Sequence, residues 1–157
     1  MQTGDAVADN ATYTWTFQSA DTSMGTVSTS SAQVNSSIPT CYYDNGNIAT
    51  FPLQATYCIV TPATGCVFDY WEGGIPKQPE YIYPSSDLTL TAHFKYASWT
   101  SGDCTCTLDG DGVFTVTGNG AMADYASPDD TPWSSVREQI RSVVINDGVT
   151  HIGTCAF

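Results

Sequence analysis

From Thr12 to Gln18 the chain alternates without a break. Tyr13, Trp15 and Phe17 fall on one side, Thr12, Thr14 and Thr16 on the other. A period of two predicts a half-buried β-strand. Met24–Thr29 predicts a short second strand after a turn. Residues 30–47 are rich in Ser and Asn and predict a long loop, with Asp44-Asn45-Gly46-Asn47 as its strongest turn signal. Between Phe51 and Ile59 the odd positions are Phe51, Leu53, Ala55, Tyr57 and Ile59, which predicts another one-sided strand. Pro52 belongs near its start or on an edge. Cys66–Trp71 predicts a strand closed by Glu72-Gly73-Gly74, and residues 75–86 read as a Pro-punctuated loop. Leu88, Leu90, Ala92 and Phe94 then alternate with Thr89, Thr91, His93 and Lys95, the clearest amphipathic strand of the chain.

The pattern changes after Tyr96-Ala97-Ser98. Cys104, Cys106 and Leu108 share a strand face, Asp109-Gly110-Asp111-Gly112 is a hairpin turn, and Phe114 with Val116 lie on the return strand. Thr131-Pro132-Trp133 has the form of a helix start, with Thr131 as N-cap and Pro132 at the first helical position. It predicts a short helix running to about Ile140. Ser142–Ile145 predicts a strand, with Asn146-Asp147-Gly148 as its turn. Apolar residues recur at Val143, Ile145, Val149, Ile152 and Phe157, with Gly148 and Gly153 at turns. A solenoid repeat buries its core only against a neighbouring repeat. Val143, Ile145, Ile152 and Phe157 are therefore expected to leave an apolar edge. The chain itself is expected to be a piece of a longer repeat protein, capable of self-association through that edge.

Charge narrows the partners. Four Lys and Arg stand against 16 Asp and Glu, a formal net charge of −12. The halves before and after Ala97 carry equal shares, so the whole surface is acidic. Such a surface repels phosphate backbones and excludes nucleic acid as a partner. It also disfavours anionic membranes. It suits solubility, a cationic partner or uncharged glycans. No stretch reaches the apolar length of a membrane span. The first residues, MQTGDAVADN, lack the basic and apolar regions of a signal peptide.

Six cysteines, at 41, 58, 66, 104, 106 and 155, permit a disulfide framework. Cys104 and Cys106, two apart on one strand, are poorly placed to bridge each other. Cys58 and Cys66 sit in apolar runs, where a free thiol behaves as a small hydrophobe. The reading favours buried free thiols. The spacing is not that of a zinc site, because Cys104-Thr105-Cys106 is CxC and no His has ligand spacing.

Two resemblances organise these segments. MGTVSTSS (Met24–Ser31), TPATGCVFDYWEGG (Thr61–Gly74) and DLTLTAHFK (Asp87–Lys95) together resemble the internalin-type B-repeat over about residues 12–96. That resemblance implies a small β-grasp-like fold, found in tandem on bacterial surface proteins, with Phe68 and Trp71 as core aromatics and Ala92 and Phe94 on the closing strand. Cys66 stands where that family has an aromatic. LDGDGVFTVTGNGAM (Leu108–Met122), Pro132-Trp133 and SVVINDGVTHIGTCAF (Ser142–Phe157) resemble the N-terminal cap and first repeat of BspA-type leucine-rich repeat proteins, over about residues 100–157. Cys106 replaces a Trp common there. The expected fold is thus mainly β. A flexible segment (1–11) leads into a B-repeat-like β-domain (12–97), followed by a β-rich leucine-rich-repeat cap with one short helix (98–157). The resemblances imply a bacterial cell-surface or extracellular protein with no cofactor and no catalytic role. It would be a spacer plus interaction module for adhesion to a host or bacterial surface protein, or to a glycan. The alternative is a carbohydrate-binding accessory module of a secreted enzyme.

Other candidate chemistry reads as structure. Asp109-Gly110-Asp111-Gly112 could suggest calcium, but an EF-hand loop needs a bidentate Glu at its twelfth position and Gly120 stands there. Turn chemistry alone demands Gly and Asp. Gly118-Asn119-Gly120 lacks the third Gly and the βαβ setting of a dinucleotide loop. Asp129-Asp130 and Asp109/Asp111, the closest carboxylate pairs for a glycosidase, fall in predicted turns. His93 lies on the polar side of its strand, His151 in a repeat turn, and no GxSxG is present. The binding candidates are loop tyrosines, Tyr42, Tyr43, Tyr81, Tyr83 and Tyr125, which would form an aromatic platform if exposed together.

Overall fold

The computed structural model describes residues 10–51, 56–75 and 81–157. The fold is mainly β. The chain divides into two units: Met1–Pro62 with Phe68–Phe94, and Ala63–Val67 with Lys95–Phe157.

In the first unit the alternating segment forms β1 (Thr12–Ser19), which pairs antiparallel with β3 (Ser31–Asn35). A short β2 (Gly25–Val27) lies between them in sequence. Three further strands follow: β4 (Thr40–Tyr42), β5 (Ile48–Thr50) and β6 (Thr56–Cys58). Then come β7 (Val60–Pro62), β8 (Cys66–Glu72), β9 (Tyr81–Ile82) and the long β10 (Leu88–Ser101). β1 runs parallel to the first part of β10, with Trp15 opposite Leu88, Phe17 opposite Leu90 and Ser19 opposite Ala92. β8 also pairs with β10. A parallel pair made by the first and last strands, with β3 and β8 outside it, is a β-grasp-like sheet. β2 pairs with β7, and β6-β5-β4-β9 form a separate four-stranded sheet.

Alternation explains this core. Trp15, Phe17, Leu90 and Ala92 are buried, as a period of two requires. They meet Trp71, Val34, Tyr42, Ile48, Cys58 and Val60. The indole N–H of Trp71 donates to the Gly46 carbonyl at 2.9 Å. That carbonyl belongs to the predicted Asp44–Asn47 turn, where Gly46 has φ +85° beneath the Phe68 ring.

Two expectations for this unit are corrected. The polar stretch 30–47 holds β3 and β4 rather than one loop. β3 carries only Ala32 and Val34 as apolar residues, and is fixed by its ladder to β1 and by Gln33 Nε2 donating to Thr14 Oγ1 at 2.8 Å. Of the predicted strand 51–59, Thr56–Cys58 is strand among the described residues, and its inward face is not the odd one. Phe51 and Ile59 are 42 % and 45 % exposed, whereas Ile48, Cys58 and Val60 are buried. Ile59 is held outward because its N–H donates to Ser28 Oγ and its carbonyl accepts from Ser28 N. Pro52, Leu53 and Ala55 lie outside the described residues, as does the predicted 1–11 segment apart from Asn10 and Ala11.

The second unit starts from the end of β10, which pairs antiparallel with β11 (Cys104–Leu108). β11 turns through Asp109–Gly112 into β12 (Val113–Gly118). A short β13 (Gly120–Ala121) follows, then two 3₁₀ turns (Pro128–Asp130 and Ser134–Gln139), β14 (Ser142–Ile145) and β15 (Val149–His151). The predicted helix is thus a 3₁₀ turn that starts at Ser134, and Thr131 does not cap it. Thr131 Oγ1 instead donates back to the Pro128 carbonyl at 2.9 Å, closing the preceding turn. Ser127 caps that earlier turn, its Oγ accepting from Asp129 N.

The second unit builds two stacked coils. β14 lies parallel on β12, with Val113 opposite Ser142 and Val116 opposite Ile145. β15 lies parallel on β13, with Gly120 opposite Val149. All three pairs are 29 residues apart, so one coil (β12-β13) is covered by the next (β14-β15). The turns stack too: Gly120 N donates to Gly148 O, and a Cβ at Gly148 would lie 2.5 Å from Asn119 Oδ1 and Gly118 O. Ala121 lies opposite His151, one residue further, across a register shift. Parallel stacking of successive coils is the geometry of a solenoid. Inside it, Cys104, Cys106, Leu108, Phe114, Val116 and Trp133 form the core.

Candidate functional site

Two surfaces stand out, one in each unit. The first is the open side of β14. That strand is the outermost of its sheet and pairs only with β12 among the described residues. Ser142 N and Asn146 N donate to Gly112 O and Val116 O of the inner coil. Backbone groups alternate along a strand. The N–H groups of Val143 and Ile145 therefore point to the open side. Apolar residues accompany this edge: Val143, Val144, Ile145, Ile152 and Phe157 are between 38 % and 51 % exposed. Beside it lies a groove of about 270 Å³, lined by Trp133, Ile140, Val143 and Phe157, with Arg137 and Arg141. Arg137 pairs with Asp129 at 3.1 Å, and both are well exposed.

The base of this edge is rigidly built. Trp133 is 1 % exposed and its indole N–H donates to the Ala156 carbonyl at 3.0 Å. Its ring meets Phe114, Tyr125, Trp99 and Phe157 at centroid distances from 5.0 to 6.3 Å. Asp124 ties the outer coil to the inner one. Its Oδ1 accepts from Thr154 N at 2.6 Å and faces His151 Nε2 at 3.4 Å. The Thr154 amide, then its side chain and His151, hold the Asp124 carboxyl below its ordinary value.

The second surface is the outward face of the small sheet β6-β5-β4-β9. Register sets it. Cys41 lies opposite Ala49 on one side and Tyr81 on the other. Tyr43 and Phe51 flank this row. The small Cys41 and Ala49 form a floor and the three rings form walls, enclosing about 330 Å³. Tyr43, Phe51 and Tyr81 are 46 %, 42 % and 60 % exposed. Phe51 and Tyr81 meet edge to face at 5.6 Å. The adjacent Cys41 sulfur, ahead of slight burial, raises the Tyr43 phenol above its ordinary value. On the inward face, Thr40 and Thr50 lie opposite each other, and neither hydroxyl has a hydrogen-bond partner among the described residues.

The five tyrosines named from sequence do not share one platform. Tyr42 is 4 % exposed and belongs to the core, because its strand turns it opposite to Tyr43. Tyr125 belongs to the second unit, where its hydroxyl donates to Ser101 Oγ at 2.7 Å and its ring packs on Trp133. Tyr83 is exposed but lines a different groove, with Trp15, Ile75 and Leu88. Tyr43 and Tyr81 come together, and Phe51, which sequence reasoning placed in a core face, joins them.

The remaining candidates have structural duties. Asp109 Oδ1 accepts from the amides of Asp111 and Val113 and so closes the hairpin. Gly118-Asn119-Gly120 is the turn on which the next coil stacks. His93 stacks on Tyr70 at 4.6 Å, with Nε2 2.9 Å from Glu72 Oε2. All six cysteines are thiols, of which Cys58, Cys66, Cys104 and Cys106 are buried. Burial, then the nearby Cys104, pushes the Cys106 thiol up to about 11. Among the described residues no cluster of three or more His, Cys, Asp and Glu could hold a metal ion, and no helix is long and apolar enough to cross a membrane.

No protein-family model matches the chain, and no curated protein matches it. Among solved structures, the chain is similar to a leucine-rich repeat protein from Eubacterium ventriosum. The two share 39 % identity over 39 % of this chain and 17 % of that protein, with a TM-score of 0.36. The neighbour is in line with a relationship of the leucine-rich-repeat type. At that TM-score the likeness carries no argument about the fold.

Proposed function

We propose that this chain is a non-catalytic interaction module of a bacterial surface or secreted protein, in which the second unit caps a leucine-rich-repeat array. The observation that carries the reading is the open side of β14. Two coils are already stacked in parallel, and the outer one presents amides on its open side flanked by Val143, Val144, Ile145, Ile152 and Phe157. Such an edge suits a third coil, which would pair with those amides and cover the apolar groups. Exposed edges of this kind are otherwise a liability. The first unit is the spacer, a role supported by its B-repeat-like sequence and its β-grasp-like sheet. Adhesion to a protein partner then falls to the array. Stability in such arrays is a sum of repeat energies and nearest-neighbour interfaces.

A fusion tests the cap. The chain is joined through its last coil to a consensus leucine-rich-repeat array that lacks its own N-terminal cap. The fused second unit and array are expected to unfold in a single transition, above that of the uncapped array. The paired substitution Val144→Lys and Ile145→Lys is expected to split that transition in two. Independent unfolding of the two parts in the unsubstituted fusion would overturn the reading.

A further inference from the structure

The groove on the outward face of β4, β5 and β9 is not accounted for by a capping role, and the argument for it is independent of the second unit. Its floor is two small side chains, Cys41 and Ala49, set side by side by the β4–β5 register. Its walls are three rings, Tyr43, Phe51 and Tyr81, each at least 42 % exposed. Large apolar rings gathered on an open sheet face are the informative kind of exposure. The volume, about 330 Å³, lies at the small end of ligand pockets, which run from roughly 300 to 1,000 Å³. That is room for a flat ring or two rather than for a folded partner.

Charge selects among flat ligands. Among the described residues the groove is lined by Cys41, Tyr43, Ala49, Thr50, Phe51 and Tyr81, none of them a cation or a carboxylate. The chain around it carries a net charge of −12. An anionic ligand would meet repulsion with no compensating cation among the described lining residues, and a cationic one would find no acid among them to pair with. An uncharged ligand with an apolar face and hydroxyls at its edge matches both the rings and the phenolic groups at the rim. Tyrosine supplies an apolar body with a polar tip, the combination such a ligand needs.

We infer that this groove is a binding site for uncharged saccharide rings, one or two sugar units of a neutral glycan lying over Cys41 and Ala49 between Tyr43, Phe51 and Tyr81. The rings contribute stacking to the apolar sugar face, and the Tyr43 and Tyr81 hydroxyls hydrogen-bond the sugar's edge. Cys41 on the floor is partly exposed and serves as a reporter of occupancy.

The whole chain is run through native gels containing laminarin, mannan, xylan or hydroxyethylcellulose, with polygalacturonate as the anionic comparison. At least one neutral polymer is expected to retard it, and polygalacturonate none. Tyr81→Ala and Phe51→Ala, both at exposed rings, are each expected to weaken binding by about three- to tenfold, the size of one aromatic contact. Tyr83→Ala, on an exposed ring outside the groove, is expected to leave it unchanged. Alkylation of Cys41 is expected to slow in the retarding polymer. Retardation by no neutral polymer, equal retardation of Tyr81→Ala and the parent chain, or binding to polygalacturonate alone would each overturn the inference.

Discussion

Replacing Trp133 with Phe separates two contributions to the second unit. The indole is 1 % exposed, and its N–H is the donor to the Ala156 carbonyl at 3.0 Å. Phe keeps an aromatic ring against Phe114, Tyr125 and Trp99 but removes the donor and part of the ring volume. Ala156 is 3 % exposed, so its carbonyl would lose a partner away from water. An unsatisfied buried group of this kind costs about 1–3 kcal/mol. Lost ring volume adds about 1 kcal/mol, toward the low end of large-to-small core substitutions. The expected destabilisation is therefore at least about 2 kcal/mol, a large part of the roughly 5–15 kcal/mol that holds a domain folded. Amide exchange of Cys106 and Val116, which lie opposite each other on β11 and β12, reads this unit alone. Their protection should fall by about 30-fold or more, given about 1.4 kcal/mol per factor of ten. Amides of Phe17 and Leu90 in the first unit supply the internal comparison. A fall under about threefold at Cys106 and Val116 would refute the claim that Trp133 anchors the outer coil.

Three other outcomes are expected. Native alkylation at about pH 8 should modify Cys41 and Cys155, while Cys106, buried and with its thiol pushed up to about 11, reacts only after unfolding; mass spectrometry of the labelled chain checks this, and native labelling of Cys106 would contradict it. Thr50→Val removes a buried hydroxyl with no partner among the described residues and should stabilise the first unit by about 1 kcal/mol, or about 5 °C in Tm; a lower Tm would show that the hydroxyl is satisfied. Asp124 has its folded-state value held below the ordinary 3.8, so the stability it contributes is present above that value and lost as pH falls through the folded one. Asp124→Ala should lower Tm at neutral pH, and the gap to the parent chain should close in strong acid; thermal melts across pH check it, and a gap unchanged by pH would count against the coupling to Thr154 and His151.

The strands that could be read from sequence are those with one buried side and strict alternation. Trp15 and Phe17, Leu90 and Ala92, and Cys104, Cys106 and Leu108 all lie where a period of two puts them. β3 and β4 could not be read this way, because short strands with few apolar residues in a polar stretch form only once their partners are there to pair with, β1 for β3 and β5 with β9 for β4. Between Phe51 and Ile59 the alternation was real, but the strand among the described residues is Thr56–Cys58. The even positions Ile48, Cys58 and Val60 face the core, so Phe51 falls on the outward side and became a wall of the groove. The tyrosines could be named but not grouped. Whether Tyr42 or Tyr43 faces outward depends on β4 being a strand at all, and Tyr81 reaches Cys41 through a pairing across 40 residues. The offset of the two coils was hidden for a similar reason. Val113–Gly118 and Ser142–Ile145 share little beyond apolar content, and the register shifts at Gly120/Ala121. The apolar residues of the exposed edge could be named from the motif, since Val143, Ile145, Ile152 and Phe157 are each at least 38 % exposed.

Amide exchange along β14 in the fusion with an uncapped leucine-rich-repeat array tests the capping claim most directly. In the isolated chain Val143 and Ile145 present their N–H groups to the open side, while their neighbours Ser142 and Asn146 donate to the inner coil. If a further coil docks in parallel, Val143 and Ile145 should gain protection of about 100-fold or more, with Ser142 and Asn146 changing far less. Unchanged exchange at Val143 and Ile145 in a folded fusion would mean that this edge does not receive a repeat.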